Sequence, residues 1–167
     1  ENTLVQLIKE YELLLNVIAS TGLSEEERKQ VIANSYIQGS GQQLFMDKNV
    51  IIESDIDPTE KEGKISDYAV KKYLGDFALF YSKSEIPSVS FEKIYVAGKV
   101  DGGLVKVNFE SKFSGQHIVR KKAYAVQKRT ALVRLFPDPV NKWKPLIVEV
   151  DFNKGKHENQ EPIEEIS

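Results

Sequence analysis

Leu4, Leu7, Ile8, Tyr11, Leu14, Leu15 and Ile18 recur at three- and four-residue spacing, which places them on one stripe of a helix running from about Asn2 to Ala19. Thr21-Gly22 breaks the pattern. Ser24-Glu25-Glu26-Glu27 then has the form of a capping box, in which the Ser24 hydroxyl accepts an amide hydrogen while Glu27 reaches back. A second helix follows, with Val31, Ile32, Ser35 and Tyr36 on its inner face and Gly39-Ser40-Gly41 at its end. Leu44 to Glu53 reads as a short extended segment rich in β-branched residues, stopped at Asp55-Ile56-Asp57-Pro58 because the residue before a proline avoids helix. Pro58 to Lys64 is a charged loop, and Ser66-Asp67 offers an N-cap to a third, aromatic helix carrying Ala69, Val70, Tyr73, Leu74, Phe77, Phe80 and Tyr81.

After Pro87 the period changes to two. Val89 and Phe91, then Val105, Val107, Phe109, Ser111 and Phe113, alternate with polar neighbours. Asp101-Gly102-Gly103 and Ser114-Gly115-Gln116 supply hairpin turns. Tyr124 to Phe136 and Trp143 to Phe152 are the last two strands, joined at Pro137-Asp138-Pro139. The expectation is an α+β fold: N-terminal helices packed on a curved, mainly antiparallel sheet, built on a four-stranded meander and extending to four to six strands. Residues 1–153 form one domain in this reading, and 154–167 are a polar, acidic tail or linker.

Composition adds mainly exclusions. With 41% hydrophobic and 29% charged residues and a net charge of −2, the chain is ordinary for a globular domain and has no field that would steer the whole molecule onto nucleic acid or an anionic membrane. No apolar stretch approaches the length of a spanning helix. Cysteine is absent, which removes disulfides, thiol nucleophiles and thiolate metal sites together. The first residue, Glu1, is not Met, so removal of a leader or excision from a longer, secreted or periplasmic protein is expected, with a cytoplasmic setting still open.

The order helix, helix, short strand, helix, then four long antiparallel strands, together with the phrase Leu44-Phe45-Met46-Asp47-Lys48-Asn49-Val50-Ile51-Ile52-Glu53, resembles the nuclear transport factor 2-like superfamily. The likeness is one of order and pattern over about Asn2 to Phe152; a cystatin-like arrangement is the nearest competitor. It implies a sheet wrapped around the helices as a cone. It also implies homodimers paired through the sheet and functions that range from small-molecule enzymes to accessory domains.

Superfamily enzymes place acids, His or Tyr inside the cone, where burial moves a carboxyl toward neutrality. Here the positions expected to face inward, Val105, Val107, Phe109, Phe113, Leu132 and Val148, are apolar, and Glu110, Glu149 and Asp151 alternate outward. The candidates for a pocket are therefore few: Tyr73, Phe77, Phe109, Tyr124 and Trp143 as an aromatic lining, with Asp76 or His117 as the polar handle. Each has a plainer reading, as core for the rings and as surface for Asp76 and His117. His157 falls in the tail, so a metal cluster or a Ser-His-Asp arrangement lacks material. Asp55-Ile56-Asp57 lacks the glycine and distal glutamate of a calcium loop and is assigned to a turn.

Arg120, Lys121, Lys122, Lys128 and Arg129 form the one basic cluster, a candidate anion patch whose plainer reading is a charged strand face. Three functions survive: a non-catalytic accessory or interaction module; a binder of a small hydrophobic ligand, or an enzyme, acting in the cone; and an anion or nucleic-acid binder at 120–134. The first is preferred. Its partner is a protein or neighbouring domain, with homodimerisation through the sheet and a small molecule as further options, nucleic acid disfavoured, and no metal or cofactor expected.

Overall fold

A computed structural model of the chain describes residues 2–59, 66–140 and 142–153; the tail expected at 154–167 and most of the loop at 58–64 lie outside the described residues. The elements run α1 (Asn2–Ile18), α2 (Glu25–Asn34), β1 (Ile51–Glu53), β2 (Asp67–Ala69), α3 (Val70–Phe80), β3 (Val89–Val100), β4 (Leu104–Phe113), β5 (Gln116–His117), β6 (Lys122–Ala123), β7 (Gln127–Asp138) and β8 (Lys142–Phe152). Six strands make the main sheet in the order β2-β1-β8-β7-β4-β3, and β5 and β6 form a small separate hairpin.

The four long strands pair antiparallel with their neighbours, as the period-two pattern requires. The sheet is mainly antiparallel, as expected, and its parallel pairing is that of β1 with β8, through Ile51↔Glu149 and Ile52↔Val150. One correction concerns α3. Ser66-Asp67 does not cap it, because Asp67–Ala69 pairs with β1 as an edge strand and the helix starts at Val70, after an extended Ala69 with no side-chain cap. The Ser24 capping box forms as expected, with Glu27 N donating to Ser24 Oγ at 3.1 Å and Ser24 N donating to Glu27 Oε1 at 2.9 Å.

α1 and α3 pack on the inner side of the sheet, α2 packs on α1 and α3, and the core they share with Val107, Phe109, Ala131, Val133, Ile147 and Val150 is continuous. Arg28 of α2 contributes to it in an unusual way: its guanidinium donates to the carbonyl of Ile18, an orphan acceptor at the end of α1, and to those of Ser20 and Leu23 in the loop that follows. On β7 the inward set is Arg129, Ala131 and Val133. Leu132, expected inside, is on the opposite face. A bulge between the partners of Leu132 and Val133 makes Ile147 and Val150 the inward residues of β8, which displaces Val148 from its expected core position.

Candidate functional site

Among the described residues, the rings expected to line a pocket from α3 and β4 pack into the core. Tyr11 meets Phe45, Phe91 and Phe109 edge to face, with ring centroids 5.5, 5.1 and 6.4 Å away, and Phe77 stacks on Tyr81 at 4.7 Å. Tyr73, Phe77 and Phe109 are 1%, 0% and 3% exposed. They are core, packed at the edge-to-face and offset distances that aromatic pairs prefer.

Within this core sits an ionisable group of four that the sequence did not disclose. Tyr73 Oη donates to Asp55 Oδ1 at 2.6 Å, and Arg129 approaches the other carboxylate oxygen, Nη1 to Oδ2, at 3.7 Å. Arg129 Nη2 donates to the Glu53 carbonyl at 2.7 Å, and its guanidinium lies 4.2 Å from the centre of the Phe152 ring. Nη1 is buried and makes no hydrogen bond. Burial, followed by the charge of Asp55, pushes the Tyr11 and Tyr73 phenols up. Burial opposes the charge of Arg129, but Asp55 leads the neighbours that outweigh it and keep the guanidinium firmly protonated. These are the signatures of a closed network that holds the 53–55 segment, α1, α3 and β7 together.

The anion patch is thereby corrected. Arg129 is 1% exposed and points into the core, because β7 turns its Ala131 and Val133 parity inward. Arg120 is paired with Asp57, Nη2 to Oδ2 at 3.1 Å. Asp57 is itself held below the usual carboxylate range: partial burial works against its charge, and bonds from Thr59 and Arg120 overcome it. Lys121 and Lys122 are exposed on the β5–β6 hairpin, whereas Lys128 lies on the outer sheet face across from Glu110. The five do not share a face.

The polar handles are displaced as well. Asp76 is on the solvent side of α3, in an i,i+4 pair with Lys72 at 3.2 Å. His117 is 5% exposed and stacks on Phe80 at 5.1 Å. Its Nδ1 accepts from the amides of Val119 and Arg120 at 3.2 and 3.0 Å, which assigns the ring proton to Nε2 and commits the acceptor nitrogen to the turn. Tyr124 is half-buried and donates to the Ile56 carbonyl at 2.5 Å. Burial, then the charge of Asp55, raises its phenol. Trp143 is 56% exposed and far from these groups in the sheet, opposite Pro137 on the β7–β8 hairpin.

The outer sheet face is polar and partly desolvated. Asn108 Nδ2 donates to Tyr95 Oη at 3.0 Å and Thr130 Oγ1 to Asn108 Oδ1 at 2.7 Å. Asp151, in register with Thr130, shares a hydrogen bond with Glu149. Burial first, and then Glu149 and Glu53, push the Asp151 carboxyl up to about 8.

Exposed apolar side chains are scattered over the surface, and three of them lie where β7 and β8 outrun their neighbours. The last pair between β4 and β7 is Leu104↔Arg134, while the β7–β8 ladder continues to Asp138↔Lys142. This arm carries Leu135 at 47%, Val140 at 86% and Trp143 at 56% exposure. A groove of about 440 Å³ lies at its base, between α1 and residues Lys144 and Pro145. A second, of about 520 Å³, separates α1 from α2. Among the described residues no His, Asp or Glu group is arranged to hold a metal, and no helix is long and apolar enough to cross a membrane. No family model, no curated protein and no solved structure matches this chain.

Proposed function

We propose that this chain is a non-catalytic interaction module that docks through the arm formed by the ends of β7 and β8. The observation that carries the reading is the unpartnered arm face. Val133 and Ile147 are fully buried beneath the helices, and the same face continues through Leu135, Pro137, Trp143 and Pro145 beyond their cover, with Leu135 and Trp143 about half exposed. Trp is the residue type that most often anchors a protein interface. The outer face of the sheet is the poorer docking surface, because a partner there would have to desolvate Glu149 and Glu110. The burial of Tyr73, Phe77 and Phe109 in the core supports the same reading over a ligand pocket. The order of helices and strands, with its six-stranded sheet, supports the nuclear transport factor 2-like resemblance, and an accessory role is one that superfamily accommodates.

Binding of the apolar dye anilinonaphthalene sulfonate separates the docking and pocket readings. Dye fluorescence is expected to fall by more than half in Trp143→Ala and to be unchanged in Tyr73→Phe. The opposite pattern, with the signal insensitive to Trp143 and lost with Tyr73, would place the accessible apolar site in the interior and overturn the proposal.

A further inference from the structure

Separately from the arm, we infer that the tip of the β5–β6 hairpin docks on an anionic lipid surface, with Ile118 and Val119 entering the interface and Lys121 and Lys122 meeting the headgroups. The hairpin belongs to the connection between β4 and β7 and is laid against α3, where His117 stacks on Phe80. Pairing of Gln116 with Ala123 and of His117 with Lys122 leaves Ile118 to Lys121 as the turn at its tip. Gly, Asn, Asp, Ser and Pro are the residues that turns favour. Here two β-branched aliphatic residues lead the turn, 47% and 62% exposed. Lys121, which closes it, takes a φ of +59°, a conformation that glycine holds without strain. Local folding does not call for this composition.

The four backbone amides of the turn are all satisfied from within the molecule. Ile118 N donates to the Phe80 carbonyl at 2.8 Å and Lys121 N to the His117 carbonyl at 2.7 Å, while Val119 N and Arg120 N share His117 Nδ1 as acceptor. An unpaired amide resists transfer out of water, because desolvating it brings no compensating bond. This turn carries no such amide, so its two aliphatic side chains can leave water without taking an unpaired donor with them.

Charge fits the same surface. From Ile118 to Val126 every side chain but that of Tyr124 is exposed, and the exposed ones are aliphatic or cationic. The stretch without acids is longer still: no Asp or Glu stands between Glu110 and Asp138, so the net charge of −2 conceals an uneven distribution. Asp57 takes up Arg120. Lys121 and Lys122 remain as the cations of the tip, in no ion pair among the described residues. Lysines beside aliphatic side chains on an exposed tip match anionic headgroups lying over an acyl layer. A nucleic acid or a free phosphate would engage the lysines and leave Ile118 and Val119 in water. The arm is at the far end of β7, a strand of 12 residues, so the two surfaces do not compete.

The test is sedimentation of the chain with phosphatidylcholine vesicles that contain about 30% phosphatidylserine, a fraction that gives the surface a negative potential. The chain is expected to sediment with them at low salt, to be released as salt rises, and to bind pure phosphatidylcholine vesicles far more weakly. Lys121→Glu with Lys122→Glu should lower the partition coefficient roughly tenfold or more, and Ile118→Ser with Val119→Ser roughly fivefold or more. Lys99→Glu with Val100→Ser, at the exposed end of β3, should leave it unchanged. Val119→Trp, made together with Trp143→Phe so that it supplies the only indole, should shift its emission to the blue on anionic vesicles and be quenched by brominated acyl chains. All these positions are exposed, and the circular dichroism spectra should match that of the parent chain.

Failure to sediment with anionic vesicles overturns the inference. So does binding that falls in the lysine variant but survives Ile118→Ser with Val119→Ser, which would mark attraction to any polyanion. An equal loss in the Lys99 and Val100 variant, or an indole at position 119 whose emission stays at its aqueous wavelength while the protein sediments, would place the lipid contact elsewhere and overturn it as well.

Discussion

Arg129 is a guanidinium taken wholly out of water, and what makes that tolerable is the set of acceptors around it: the Asp55 carboxylate, the Glu53 carbonyl and the face of Phe152. Removing one partner of such a pair strands the other, so Arg129→Met should destabilise the protein by about 3–5 kcal/mol. Adding Asp55→Asn should recover part of that loss, as urea denaturation would show; full additivity of the two would mean that the charges do not interact. On the opposite face, Asp151 supplies a pH dependence whose sign can be worked out. An unfolded aspartate loses its proton near pH 4, whereas the folded Asp151, beside Glu149 and Glu53, holds its own to about 8. Between those values the native state binds a proton that the unfolded state lacks, so stability falls as pH rises from about 4 through about 8. Asp151→Asn should flatten that slope and stabilise the protein at pH 8. The gain is on the order of 1–2 kcal/mol once solvent screening at a half-exposed site is allowed for. Neither group was readable in the sequence. Both parities of β7 contain an arginine, Arg129 with Ala131 and Val133 or Arg134 with Leu132 and Thr130, and the larger apolar residue pointed to the wrong one. Asp55 drew attention only as a fragment of a failed calcium loop.

At the level of elements, α1 does more than bury a stripe. Its polar residues reach the outer edge of β3, where the sheet ends among the described residues. Asn16 Nδ2 donates to the Val89 carbonyl at 2.9 Å, Asn16 Oδ1 accepts from the Ser88 and Val89 amides at 3.0 and 2.9 Å, and Glu12 and Lys9 engage the amide and carbonyl of Phe91. The side chains of a helix thus stand in for a missing strand over the first residues of β3. Register shifts in the paired ladder follow at Glu92/Tyr95 and Val96/Gly98, irregularities that also discourage edge pairing. Asn16→Ala should cost about 2–3 kcal/mol, since it leaves partly buried backbone groups without partners. The same variant should speed amide exchange at Ser88 and Val89 while leaving Val107 and Ala131 protected. Uniform acceleration would indicate global loosening instead of an opened edge. Helices and hairpins were legible because their signals are local: periodicity for α1, a reciprocal box for α2, and Asp101-Gly102-Gly103 for the β3–β4 turn, where Gly102 and Gly103 take φ of +87° and +79°. β2 was not, because Ser66-Asp67 is good cap chemistry and three residues of edge strand carry no period of their own.

For the molecule as a whole, the pairing hardest to foresee is β1 against β8, which joins residues far apart in sequence and leaves no local trace in either. It is reinforced by side chains: Phe152 N donates to Glu53 Oε1 at 2.6 Å and Arg129 to the Glu53 carbonyl. One core runs beneath α1, α2, α3 and the inner face of the sheet, and a chain of this size with a single core is expected to unfold in one cooperative step. The arm is not part of that core, which gives the two kinds of fluorophore different duties. Tyr11, Tyr73 and Tyr81 are 1–2% exposed and must lose their surroundings when the core melts. Trp143 is already half in water. In urea at low micromolar concentration, far-UV circular dichroism and tyrosine emission should therefore trace the same transition while Trp143 emission shifts little. A Trp143 signal that moves together with the circular dichroism even in dilute protein would mean that the indole packs on its own body, and the arm would no longer be available to a partner.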